Sequence, residues 1–94
     1  MNKGDLVADV AERTKTTRKL ANEIITATLD SIMEAVADNE KVALVGFGSF
    51  ESRERKAREG RNPSTGEALS IPATTAPIFS PGKAFKELVQ KEVD

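Results

Sequence analysis

The chain has 94 residues, carries a formal net charge of −1, and is 38% hydrophobic and 31% charged. That fits one small folded domain with a modest core, for which oligomerisation is a natural supplement. Cysteine and histidine are both absent, which excludes disulfides, thiolate or imidazole metal sites, and Cys–His or Ser–His catalysis.

The opening "MNKGDLVADV" is too polar for a signal peptide, and no apolar run approaches the roughly 18 residues of a membrane span. A soluble intracellular protein is the expectation. Asn2 is a candidate N-cap, and Leu6, Val7, Val10 and Ala11 recur at helical spacing. A first helix is expected over about residues 3–13. "TKTT" interrupts it, and Thr17 is suited to cap a second helix. There Ala21, Ile24, Ile25, Thr28, Leu29, Ile32, Met33 and Val36 form a wide apolar stripe. Such a stripe serves either a single-chain core or a face shared with a partner subunit.

"VALV" at residues 42–45 reads as a short buried-type strand, and Gly46 and Gly48 permit a tight bend around Phe47. From Phe50 the pattern turns polar, with no sustained apolar face to pin it to a core, so a strand projecting into solvent is expected. "NPSTG", residues 62–66, reverses the chain; Asn62 and Pro63 favour turn initiation and Gly66 suits positive φ. The return strand contains Pro72 and Pro77, tolerable on a ribbon that consists of edges. Ser80 is a candidate cap and Pro81 a candidate first residue for a last helix with Phe85, Leu88 and Val89 on its apolar face.

Charge is unevenly distributed. Residues 1–50 hold 6 basic and 8 acidic side chains. Residues 52–66 hold 5 basic ones (Arg53, Arg55, Lys56, Arg58, Arg61) against Glu54 and Glu59. Arginine presents a flat fork of donors suited to phosphate and groove edges. Alone, an alternating Arg/Glu strand also fits a solvated face, and Pro63 an ordinary turn. Lys3 stands near the positive end of the first helix dipole, an unfavourable place for a cation without an external anion. Phe47, Phe50, Phe79 and Phe85 flank the arm and are expected to anchor its two roots in one core; base stacking is the alternative role.

"VGFGSF" (45–50), "GRNPSTGE" (60–67), "IPA" (71–73) and "PGKAFK" (81–86) occur in order, and with the opening "MNKGDLV" they resemble the bacterial histone-like HU family over essentially the whole chain. Integration host factor, the sequence-selective relative, is similar too, but the short termini and generic arm look more like HU. The resemblance implies an α+β fold: an intertwined homodimer with a helical body, a three-stranded antiparallel sheet per subunit and a projecting two-stranded β-ribbon arm. It implies a single domain over 1–94, with about 1–50 and 75–94 as dimer body and about 51–75 as DNA-binding arm. It implies largely sequence-nonspecific binding, bending and compaction of double-stranded DNA through the minor groove, with Pro63 as intercalating wedge. The DNA-binding residues carried over are Lys3, Gly46, Arg53, Arg55, Arg58, Arg61, Asn62, Pro63, Lys83 and Lys86.

The resemblance further implies a cytoplasmic, nucleoid location, no cofactor, no metal, no membrane partner, no small-molecule substrate and no enzymatic activity. No acidic pair is flanked by a phosphate loop, a nucleophile motif or a ligand cluster. The competing expectation is a protein-interaction dimer whose Arg-rich arm docks an acidic partner. Glu54 and Glu59 lie within the arm, and Ser70 and Ser80 stand where lysine is frequent in the family. Fewer cations release fewer counterions, so weaker binding with a stronger preference for bent or nicked duplex is expected.

Overall fold

A computed structural model describes residues 1–91. Chain contacts divide it into two compact units, residues 1–34 and 35 onward.

In the first unit, helix α1 spans Lys3–Thr14. Asn2 caps it: its Oδ1 accepts the Asp5 N–H at 2.9 Å, while its own N–H donates to Asp5 Oδ2 at 3.1 Å. Two orphan donors are thereby satisfied reciprocally, and Asp5 sits where the helix dipole favours a carboxylate. Lys15 ends the helix in the left-handed region at φ 55°. Helix α2 spans Arg18–Ala37, and Thr17 caps it, its Oγ1 accepting the Leu20 N–H at 3.1 Å. Val7, Ala11 and Ala21 form a small buried cluster with Val10 and Ile25 against it. Along the rest of the α2 stripe Val36 is buried and Ile32 half-buried, but Ile24 and Met33 are 55% and 61% exposed.

In the second unit, α2 closes at Asn39 with φ 63°, a conformation asparagine tolerates. Three antiparallel strands follow in the order β1 (Val42–Leu44), β2 (Gly48–Arg55) and β5 (Thr74–Pro81). The register pairs Val42 with Phe50, and then Phe50 with Phe79 and Arg55 with Thr74. Strand β1 accompanies β2 only over Gly48–Phe50, so from Glu51 onward the β2–β5 ladder has two strands. Pro77 stands opposite Ser52 on β5, an outer strand of the sheet, where a missing N–H is tolerated. Residues 56–57 and 72–73 interrupt both strands at the same level, Pro72 among them. Pairing then resumes as a two-stranded ribbon of β3 (Arg58–Arg61) and β4 (Ala68–Ile71), with Arg58 opposite Ile71 and Arg61 opposite Ala68.

Phe47, Phe50, Phe79 and Phe85 gather as expected, with ring centroids 4.8–6.3 Å apart. Three expectations need correction. Val45 leaves the strand for the turn and is fully exposed. Ser80 is not a cap, nor is Pro81 the first helical residue: both stay in β5, opposite Ser49 and Gly48. Gly82 takes the cap position, its N–H donating to Phe47 O at 2.8 Å, and α3 spans Lys83–Val89. Ladder hydrogen bonds through Pro81, continued by the Gly82 contact, outweigh a local capping preference. The end of the last helical motif, at residues 92–94, lies outside the described residues.

Candidate nucleic-acid interface

The outer ribbon is built for exposure. Its strands pair only with each other, and Arg58, Arg61 and Pro63 are all exposed. Strand pleating assigns faces. Arg58 and Gly60 share one face with their partners Ile71 and Leu69; Glu59 and Arg61 share the other with Ser70 and Ala68. The two ribbon arginines thus stand on opposite faces. Arg53 and Arg55 share one face of β2 with Glu51, and Arg53 Nη2 approaches Glu51 Oε1 at 3.4 Å. Both groups are substantially exposed, so this pair is weak. Among the described residues, Arg55, Arg58 and Arg61 have no carboxylate within 4 Å. Glu54 and Glu59 therefore lower the local charge without quenching any one of these guanidinium groups.

The tip is ordered by its own polar groups. Asn62 N–H donates to Glu67 O at 2.8 Å, Gly66 N–H donates to Asn62 O at 2.7 Å, and Ser64 N–H donates to Asn62 Oδ1 at 2.9 Å. Gly66 takes φ 73°, as the turn chemistry predicts. Pro63 rides on this loop with its ring in solvent.

Gly46, Lys83 and Lys86 come together elsewhere in the second unit. Gly46 O accepts the Phe85 N–H at 3.2 Å, which fixes the β1–β2 turn against the start of α3. Lys83 is exposed and lies 3.9 Å from Glu87; Lys86 is exposed as well. In the first unit, Lys3 opens α1 and its Nζ donates to Thr26 Oγ1 at 2.8 Å. A hydroxyl partner leaves the ammonium charge uncompensated.

Sequence reading passed over the apolar strip on the return strand, where Leu69 is 45% and Ile71 37% exposed. The signal was there as "L-S-I" alternation, which places both on the Arg58 face. Among the described residues no cluster of three or more His, Cys, Asp or Glu could hold a metal ion, and no helix is long and apolar enough to cross a membrane.

Comparison with known proteins agrees with this layout. The family described as "Bacterial DNA-binding protein" matches residues 1–90. DNA-binding protein HU of Nostoc is 62% identical over 89 residues, covering 95% of each chain. DNA-binding protein HU of Clostridium pasteurianum is 54% identical, over 97% of this chain and all of the other. Among solved structures, a chain of an Anabaena HU–DNA cocrystal superposes with a TM-score of 0.89 at 62% identity, covering 95% of this chain and 97% of that one. With a matching family spanning nearly every residue and relatives this similar, the chain belongs to the bacterial DNA-binding protein family, that of the HU proteins.

Proposed function

We propose that this chain is a histone-like, largely sequence-nonspecific DNA-binding protein that bends, wraps and compacts duplex DNA in the nucleoid, working as a homodimer. The observation that carries it is the solvent-exposed β3–β4 ribbon, with arginines on both faces and Pro63 at its apex. This ribbon belongs to a chain 62% identical to one crystallised with DNA.

A ribbon lying in the minor groove meets a phosphate wall on either side, so cations on both faces serve it better than a single charged face. Arg58 and Arg61 reach the two walls, and Arg53, Arg55 and backbone near Gly46 extend the contact. Lys3, Lys83 and Lys86 contact flanking phosphates. Pro63, rigid and lacking an N–H, enters between base pairs, with Asn62 beside it. The assignment keeps about 51–75 as arm and the remainder as body.

A second copy of the chain is supported by what one copy leaves uncovered. Among the described residues the buried apolar side chains are Val7, Ala11, Ala21 and Val36, and no large side chain is fully buried. Phe47 is 47% and Phe79 38% exposed although both belong to the aromatic cluster. A core this open is too small to stabilise a lone domain, and an intertwined partner covers it.

Titration of intact, nicked and cruciform duplexes over a range of salt tests the reading. Tighter binding to the nicked and cruciform forms is expected, with affinity falling steeply as salt rises. Arg58→Ala and Arg61→Ala should each flatten the slope of log affinity against log salt by up to about one unit. No binding at low salt, or equal and salt-insensitive binding to all three, rejects it. A pull-down of an acidic protein that survives nuclease, together with absent DNA binding, would return the partner-docking reading instead.

A further inference from the structure

Three of the four hydrogen-bonding groups of Asn62 are engaged within the loop, and its side-chain NH2 alone makes no bond there. Its N–H is bonded to Glu67 O, its carbonyl to the Gly66 N–H, and its side-chain oxygen to the Ser64 N–H, at 2.8, 2.7 and 2.9 Å. The first two close the base of the loop; any residue but proline could make them in this backbone. The third needs a short side chain ending in an acceptor, and it spans Pro63.

Pro63 has no N–H, so the Ser64 N–H is the first donor beyond it. Binding that donor fastens the peptide unit immediately after the proline to the residue immediately before it. The ring fixes φ of Pro63, and its Cδ restricts the backbone of Asn62 to extended conformations. What these leave free are ψ of Asn62 within its extended range, which swings the ring against the ribbon, and ψ of Pro63. Both torsions lie inside the cycle that the Asn62–Ser64 bond closes, so that bond restrains them. The pyrrolidine is therefore held at one angle to the ribbon axis.

Deepening the proposed function and resting on it, we propose that Asn62 is a positioning residue for the wedge: its carboxamide oxygen acts through Pro63, setting the direction in which the ring enters the base stack, and does not act by contacting DNA. A wedge that must enter the narrow gap of one base step loses effectiveness when its direction is spread over several orientations. Affinity from the arginines is largely indifferent to that direction. Kinking and contact are thus separable at this residue.

Asn62→Ala and Asn62→Asp, in the full chain, separate the two roles. Aspartate keeps the acceptor in place but adds negative charge beside the phosphates. The readouts are bend angle at saturating protein, by energy transfer between dyes at the ends of an intact duplex, affinity on the same duplex, and exchange protection of the Ser64 amide without DNA. For Asn62→Ala we expect loss of Ser64 protection and a kinked fraction lowered about three- to tenfold, the effect of one lost hydrogen bond. Its affinity should change less than its bending. For Asn62→Asp we expect Ser64 protection and the wild-type bend at saturation. Its affinity should be weakened by charge repulsion, most visibly at low salt.

Two outcomes overturn the inference while leaving the proposed function standing. One is an Asn62→Ala protein that bends as wild type does. The other is an Asn62→Asp protein that keeps Ser64 protection yet loses the bend along with the affinity, the behaviour of a DNA-contacting carboxamide. A wild-type protein that binds duplex without bending it overturns both.

Discussion

Pro63→Ala is expected to leave the protein holding DNA while removing most of the bend. Separating two stacked base pairs costs on the order of a few kcal/mol, and curving a site through a large angle costs about 1–6 kcal/mol. A methyl group on a flexible backbone cannot fill the opened step, so nothing offsets that cost and the straight duplex prevails. The arginines keep their phosphate contacts, because Arg58 and Arg61 are positioned by ribbon pairing rather than by the apex. Affinity for intact duplex should therefore fall by about tenfold or less, roughly 1.4 kcal/mol. Affinity for nicked duplex should change little, because its kink needs less work. Energy transfer between duplex ends, read at saturation, measures the bend directly. An angle equal to the wild type's would show that Pro63 is only a turn residue.

Gly48→Ala should have the largest effect on stability. Gly48 is buried at φ 153°. A β-carbon there would lie 2.5 Å from Ser80 O and 2.7 Å from the Phe79 ring. Neither obstacle is a loose side-chain end: the oxygen belongs to the β2–β5 ladder and the ring to the aromatic cluster. Relief requires parting the ladder at the point where the β1–β2 turn meets α3. A loss of about 3 kcal/mol or more is expected, a large share of a small domain's stability. Gly66→Ala makes the informative control. It also has positive φ, at 73°, but an added β-carbon meets nothing within 4 Å. Only the backbone cost of about 1–2 kcal/mol then applies. Thermal melts at equal protein concentration should rank Gly48→Ala well below Gly66→Ala; similar midpoints would refute the steric argument.

Much of this was readable in the residues because the relevant physics is local. Asn2 and Thr17 cap the helices they precede, since capping is settled within three residues. Gly66 takes positive φ because the turn demands it. Four phenylalanines flanking one polar arm point to the aromatic cluster. Failures came where a distant segment decides. Ser80–Pro81 has every local mark of a helix start, yet both residues serve a ladder whose other strand lies some thirty positions earlier. Val45 has the composition of a strand residue, but composition does not reveal where a turn begins. The faces of the ribbon, and with them the opposite placement of Arg58 and Arg61, depend on a register between strands joined by a turn of six residues. Alternation along one strand cannot supply that. Asn62 reads in the sequence as a turn residue and, through the resemblance, as a DNA-binding one; its bond to the Ser64 N–H is a matter of geometry that the sequence does not carry.

The gap in both strands at 56–57 and 72–73 has a mechanical meaning. A continuous ladder transmits torque along its whole length, whereas a ladder missing its rungs at one level concentrates compliance there. Pro72 has no N–H to rebuild a rung, so the joint is written into the covalent chain. A fingertip mounted beyond such a wrist can tilt without disturbing the palm.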